Sequence, residues 1–276
     1  MPEGPEVRRE ADRIGAVLVD RPLSKVWFRF PHLARRGADL VDERVTDVRA
    51  WGKAMLIEFD GGRTLYSHNQ LYGRWYVVAA GRTPSTGRDL RLALETPTHR
   101  ALLYSASEID LLEPGAWQAH PFLSKLGPDV FAARTTPAFI ARRCRDERFA
   151  GRALGGLLMD QSFLAGLGNY LRSEILFAAR VHPAARPRDL DDAALARLCR
   201  EIRALARRAY RTRGETAPKA WVRARAAQGL PRRACRHLVF ERAEEPCAAC
   251  GTAIRRLTVA SRRLYLCPAC QPEPCR

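Results

Sequence analysis

Cys247-Ala-Ala-Cys250 and Cys267-Pro-Ala-Cys270, with sixteen residues between them, constrain this chain more than any other feature. Two C-x-x-C pairs at this spacing read as one tetrahedral four-thiolate zinc site. Protein fills all four positions, so the metal is structural and leaves no open position for chemistry. A pair of disulfides is the alternative. The N-terminus does not resemble a signal peptide, and no apolar run approaches the ~20 residues of a membrane span. A reducing, cytoplasmic location is therefore expected, which favours metal over disulfides. The expectation is one structural Zn2+ and no organic cofactor. Cys144, Cys199, Cys235 and Cys275 lack such spacing and read as free thiols.

Charge indicates the partner. The chain has 47 Lys and Arg against 30 Asp and Glu, a net charge of +17. Residues 1–138 carry 19 basic and 17 acidic side chains, and residues 139–276 carry 28 and 13. A basic surface confined to one half attracts a polyanion, above all nucleic acid. Codon bias explains why only four of the 47 are lysine, but not why the excess lies in one half. No amphipathic terminal helix or lipidation signal supports a membrane surface.

Hydrophobic periodicity divides the chain. Residues 5–18 form an expected helix with Val7, Ala11, Ile14 and Leu18 on one face. Short β-rich runs follow at 23–30, 44–50, 54–59, 64–68, 74–79, 90–94 and 101–105, separated by turns such as Asp60-Gly61-Gly62. They suggest an antiparallel sandwich or barrel. From about residue 137 the pattern is helical. Leu190, Ala194, Leu195, Leu198, Ile202, Leu205 and Ala209 mark one long helix, with Asp189 its expected N-cap. Residues 213–234 hold Gly, Pro and Arg and few large aliphatics, so they read as a basic loop or mobile linker.

Pro2 is the clearest candidate for chemistry. Removal of Met1 would make it the terminal residue, a secondary amine able to attack a sugar carbon and form an iminium. An α-amino group has a pKa of about 7.7–8.0, so a useful fraction is neutral near pH 7. Glu3 is a carboxyl acid/base one peptide away. The plainer reading is that Pro2 and Pro5 only start a helix.

Five segments together resemble the bacterial formamidopyrimidine-DNA glycosylase and endonuclease VIII family. They are Pro2-Glu3-Gly4-Pro5-Glu6, Trp51-Gly52-Lys53, the stretch Tyr66–Gly73 with Leu103–Ser107, Gln161–Tyr170, and the four-cysteine segment. Tyr66–Gly73 and Leu103–Ser107 look specifically like endonuclease VIII. The resemblance spans essentially the whole chain. It implies an α+β protein: an N-terminal antiparallel β-sandwich with a flanking helix (1–130), a helix–two-turns–helix domain (131–225), and a C-terminal zinc-bound β-hairpin (226–276).

The resemblance also implies chemistry. A damaged base is flipped out of duplex DNA. The Pro2 nitrogen attacks C1′ and the base leaves. The resulting iminium acidifies the C2′ protons, and β,δ-elimination cuts the strand. Glu3 resembles the acid that protonates the sugar oxygen, a role that needs a raised pKa. A helix N-terminus lowers a carboxyl pKa, so burial or DNA phosphates must prevail. Lys53 resembles a residue that contacts phosphate beside the lesion and assists catalysis; by position alone it reads as a solvated strand-end lysine.

Gln70, Leu71 and Tyr72 lie between two β runs and suit filling a gap in a base stack, as wedge, stacking surface and hydrogen-bonding edge. Core packing is the plain alternative for Leu71 and Tyr72. Gly166 and Gly168 let backbone amides approach a phosphate, and Asn169 adds a side-chain donor or an ordinary N-cap. Glu174 resembles a position near the active site; otherwise it is a solvated helix carboxylate. Arg262 aligns with a phosphate-gripping arginine, and Arg263 departs from the proline expected beside it.

The expected function is a bifunctional DNA glycosylase and AP lyase of base excision repair that removes oxidised pyrimidines. It would act as a monomer on damaged double-stranded DNA, in the bacterial cytoplasm at the nucleoid. The alternatives are a formamidopyrimidine-type enzyme directed at oxidised purines, and a zinc-containing DNA-binding protein without catalysis.

Overall fold

The structure is a computed structural model that describes residues 2–274; Cys275 and the end of the tail lie outside the described residues. The chain divides into two compact units, residues 1–125 and 126–276.

The first unit opens with α1 (Gly4–Leu18). Val7, Ala11, Ile14 and Leu18 fall at three- and four-residue steps, and all four are buried. The strands that follow are β1 (Lys25–Phe28), β2 (Val45–Trp51), β3 (Ala54–Phe59), β4 (Thr64–His68), β5 (Arg74–Ala79), β6 (Leu90–Glu95), β7 (His99–Tyr104) and β8 (Glu108–Leu112). They form two antiparallel four-stranded sheets, ordered β1-β6-β7-β5 and β2-β3-β4-β8. One apolar core joins α1 to both sheets through Ile14, Leu18, Phe28, Met55, Ile57, Leu65, Trp75, Leu92 and Leu103. The expected sandwich is therefore present. Strand β8 is absent from the sequence expectations, because Glu108 and Asp110 interrupt its apolar run. It pairs with β4 and buries Ile109 and Leu111.

The second unit holds α2 (Pro137–Arg145), α3 (Asn169–Ala179), α4 (Asp192–Thr212) and α5 (Lys219–Ala227). It ends in the hairpin β9 (Arg255–Val259) and β10 (Arg262–Leu266). Two sequence expectations need correction here. The N-cap of α4 is Asp191, whose carboxylate accepts from Ala194 N–H at 2.6 Å, while Asp189 closes a short 3-10 turn. Residues 213–234 are not a plain loop, since they contain α5 and the start of a short helix at Arg232–Cys235. Helix α5 buries none of its residues, so it lacks the apolar stripe that would reveal it in sequence. Guanidinium stacking supports it instead: Arg225 and Arg242 lie 5.2 and 4.8 Å from the Trp221 ring.

The main core of this unit packs α2, α3 and α4 with Leu264 and Leu266 of β10. A smaller cluster gathers Phe177, Val239, Ile254 and Tyr265 around Cys247 and Cys267. Among the described residues, no helix is long and apolar enough to cross a membrane.

Candidate functional site

In the first unit, Pro2 and Glu3 stand at the start of α1. Glu3 is its N-cap and only 3% exposed. Glu3 and Glu6 form a reciprocal capping box, with Glu3 N–H donating to Glu6 Oε2 at 2.9 Å. The carboxyl next to the candidate nucleophile is thus held in place and removed from water.

Lys53 occupies the two-residue turn between β2 and β3, where Trp51 pairs with Ala54. Gly52 takes φ 63° at the first central position, the geometry of a type II′ hairpin turn. Lys53 is buried, which corrects the reading of a solvated strand-end lysine. His68 lies near enough for the Lys53 charge to help lower its pKa, after the larger effect of burial.

Between β4 and β5 the chain projects a tip. Leu71 is 60% exposed and Tyr72 66%, so core packing is excluded for both. Gln70 adopts φ 45°. Its amide is fixed at both ends: Ser107 Oγ donates to Oε1 at 2.8 Å, and Nε2 donates to Glu108 Oε1. Gly73 closes the tip by donating to the Asn69 carbonyl at 2.7 Å. A Cβ at residue 73 would meet Asn69 backbone atoms at 2.6 Å, so only glycine fits.

In the second unit, Gly168 caps α3 and Asn169 is its first residue, so Asn169 is not the N-cap. The Gly166 N–H donates to Gln161 Oε1 at 3.1 Å. Gln161 Nε2 donates to the Met159 and Leu167 carbonyls, each at 3.0 Å, and this sets the turn before α3.

Arg172, a residue that nothing in the sequence singles out, organises this region. It is fully buried. Its Nη1 donates to the carbonyls of Gly155 at 2.8 Å and Val259 at 3.2 Å. Its Nη2 donates to Asn169 Oδ1 at 2.6 Å and to the Arg263 carbonyl at 3.2 Å. Asn169, Ser261, Arg262 and Arg263 all line one cleft of about 280 Å³. The hairpin reverses through Ala260 and Ser261 at φ 51° and 57°, a left-handed pair without glycine. Arg262 follows directly and is exposed. Asn169 and Arg262, far apart in sequence, therefore share one polar cleft.

Glu174 is 2% exposed, which overturns its reading as a solvated helix carboxylate. Oε1 accepts from the Val239 and Phe240 N–H groups at 2.8 and 2.9 Å. Oε2 accepts from Leu238 N–H at 2.9 Å and the Thr216 hydroxyl at 2.8 Å. Four donors occupy the lone-pair directions of the carboxylate. Thr216 also meets His237 Nδ1 at 2.8 Å, and burial pushes the His237 pKa down to about 3, so the ring is neutral.

The four sulfurs of Cys247, Cys250, Cys267 and Cys270 all lie within 4.8 Å of one another. Individual separations are 3.9 Å for Cys247–Cys270, 3.4 Å for Cys250–Cys267 and 3.5 Å for Cys250–Cys270. Four sulfurs about 2.3 Å from a central zinc lie roughly 3.8 Å apart, so the set fits zinc. Backbone N–H groups of Ala249 and Cys270 approach Cys247 and Cys267 sulfur at 3.4 and 3.5 Å, as suits thiolates. Cys144, Cys199 and Cys235 are buried free thiols away from this cluster.

Comparison with known proteins agrees with this geometry. Residues 1–107 match the formamidopyrimidine-DNA glycosylase N-terminal domain, and residues 126–219 the H2TH domain of the same glycosylase. Residues 244–272 match a zinc finger found in FPG and IleRS. Endonuclease 8 of Escherichia coli O17:K52:H18 strain UMN026 is 45% identical over 271 residues, covering 98% of this chain and all of that protein. The chain belongs to the formamidopyrimidine-DNA glycosylase and endonuclease VIII family. Endonuclease 8 of E. coli K12 strain DH10B is 44% identical with the same coverage. Among solved family members, MutM (FPG) from Thermus thermophilus superposes with a TM-score of 0.79 at 28% identity, covering 99% of this chain and all of that one. Lactococcus lactis Fpg, solved with DNA containing an AP site, shares the fold with a TM-score of 0.78 at 18% identity. It covers 98% of this chain and all of that one. The α+β architecture and the four-cysteine hairpin are those of the family.

Proposed function

We propose that this chain is a bifunctional DNA glycosylase and AP lyase of base excision repair, acting on oxidised pyrimidines in duplex DNA. The observation that carries the reading is the start of α1, where Pro2 adjoins a buried and oriented Glu3. With Met1 removed, the Pro2 amine attacks C1′ of the damaged nucleotide, and Glu3 gives a proton to the sugar oxygen as the ring opens. The C1′–base bond breaks and an iminium joins enzyme to sugar. Loss of a C2′ proton expels the 3′-phosphate, and a second elimination expels the 5′-phosphate. Buried Lys53 supplies a compact cation beside the reacting sugar and its phosphate.

DNA binding is divided among three elements. Gln70, Leu71 and Tyr72 fill the gap left by the flipped nucleotide. Asn169 and Arg262 grip the phosphate beside it, with the N-terminus of α3 adding its dipole. Glu174 acts indirectly, by fixing the backbone of 238–240 and Thr216. A structural zinc holds the hairpin that presents Arg262, and no organic cofactor takes part. Residues 1–130, 131–225 and 226–276 serve as catalytic, helix–two-turns–helix and zinc segments. The enzyme works as a monomer in the bacterial cytoplasm, at the nucleoid.

The test is borohydride reduction in the presence of DNA with an oxidised pyrimidine. A covalent adduct mapped to residue 2, sharply reduced in Pro2→Gly, is expected. An undiminished adduct in the variant, mapped to Lys53, would refute the assignment. The preference for pyrimidines rests on the likeness to endonuclease 8, and paired assays with an oxidised purine decide it.

A further inference from the structure

The tip at Gln70–Tyr72 has an exposed apolar surface, and its stems converge on one carboxylate. Glu10 lies in the middle of α1. Asn69, the residue before the tip, donates from Nδ2 to Glu10 Oε2 at 2.7 Å. The backbone amide of Trp75, in the strand after the tip, also hydrogen-bonds Glu10. One side chain of α1 therefore ties down both stems. Asn69 and Trp75 are themselves buried, so neither contact is a surface accident.

Glu10 also follows Glu3 by seven residues. Glu3 is the N-cap of α1 and Glu10 lies within it, so both belong to the same helical segment. The helix that begins with the nucleophile and its acid thus carries the anchor of the tip. We propose that Glu10 is a positioning residue for duplex DNA: it locks the Gln70–Tyr72 tip to the helix bearing Pro2 and Glu3, so that gap filling and base excision stay in register. This inference rests on the gap-filling role given to the tip above.

The chemistry of the site supports it. Burial is the largest influence on Glu10 and raises its pKa to about 7, against smaller opposing effects from Asn69, Trp75, Arg13 and Arg74. A salt-bridged surface glutamate shows no such cost. A carboxyl placed where charge is disfavoured is offset by the donors it accepts from, here Asn69 and Trp75. Asn69 Oδ1 is buried without a hydrogen bond. With the Asn69 amide turned over to present Oδ1, an amide at residue 10 accepts from Trp75 through its oxygen and donates to Asn69 Oδ1 through its nitrogen, preserving both ties.

The experiment compares borohydride trapping on an abasic site in duplex and in single-stranded DNA, because only a duplex leaves a stack to fill. The readout is the ratio of the two rates. Leu71→Ala sets the scale by lowering that ratio. Glu10→Ala is expected to lower it by about tenfold, a modest penalty for misplacing a positioning element. Glu10→Gln is expected to restore it to near the wild-type ratio. If Leu71→Ala lowers the ratio and Glu10→Ala does not, the clamp is wrong while the tip reading stands. If Leu71→Ala leaves the ratio unchanged, the tip reading fails and the clamp fails with it. A Glu10→Gln ratio as low as that of Glu10→Ala also overturns the proposed hydrogen-bond basis. Should Glu10→Ala not fold, Asn69→Ser removes one stem contact, and an unchanged ratio there overturns the clamp.

Discussion

Arg172 Nη2 donates to Asn169 Oδ1 at 2.6 Å, and this contact fixes which way the Asn169 amide points. The same buried guanidinium holds carbonyls on both strands of the hairpin, Val259 and Arg263. One side chain thus joins the start of α3 to the hairpin that presents Arg262. The guanidinium itself is fully buried. Its work is to bring the two residues that line the polar cleft together and hold them.

Replacing Arg172 by leucine is expected to strand several buried carbonyls and to cost about 3–5 kcal/mol, as when one partner of a buried charged network is removed. Arg172→Lys is expected to recover little, because an ammonium cannot span a planar fork of acceptors. Thermal denaturation of both variants checks this, and a lysine variant as stable as wild type would contradict it.

Arg262 and Arg263 adjoin one another and both are exposed. Arg262→Ala is expected to reduce base excision far more than binding to undamaged DNA, since a charge-assisted phosphate contact is worth about 1.5–3 kcal/mol. Arg263→Ala should give a small, lesion-independent loss. General phosphate contacts weaken with salt, log K falling by about 0.9 per neutralised phosphate. Single-turnover kinetics at two salt concentrations separate the two effects. Equal losses in both variants would reduce the hairpin to a general basic patch.

The four sulfurs that cluster within 4.8 Å make a metal prediction. The protein is expected to contain one zinc per chain. Cys250→Ser should lose it together with DNA binding, because β9 and β10 then lack their anchor. The first unit has its own core and should remain folded. Metal analysis alongside DNA titration tests this, and a zinc-free preparation with full affinity would sink it.

Glu10 gives a pH dependence. Its pKa is about 7 in the folded protein against 4.5 unfolded, so the native state holds the proton more tightly. Its stabilising contribution is complete below about pH 4.5 and is lost as pH rises through 7. Glu10→Gln has no such proton to lose. Relative to wild type, the variant should therefore gain roughly 2 kcal/mol in stability between pH 5 and pH 8. Urea unfolding at the two pH values measures the difference; a constant difference would show that burial does not govern Glu10.

Local pattern was enough for much of this protein. The four cysteines, the apolar stripe of α1, the turn at Asp60-Gly61-Gly62 and the short β runs depend on spacing between near neighbours, which a sequence displays directly. Pro2 and Glu3 were legible as a terminal proline beside a carboxyl, and the family resemblance added Lys53 and Arg262 through short motifs in a fixed order. Tertiary structure decided what those residues touch. Nothing in an arginine-rich chain marks Arg172 as buried, because its acceptors come from residues 155, 169, 259 and 263. The burial of Glu174 was not visible in sequence because its four donors lie at residues 216 and 238–240. Helix α5 escaped notice because cation stacking, rather than an apolar face, supports it. Exposure of Leu71 and Tyr72 was likewise undecidable from hydrophobicity, which is identical for a core residue and a gap-filling one. Periodicity records what a segment must bury, whereas long-range partners are chosen only when the folded chain brings distant donors and acceptors within about 3 Å.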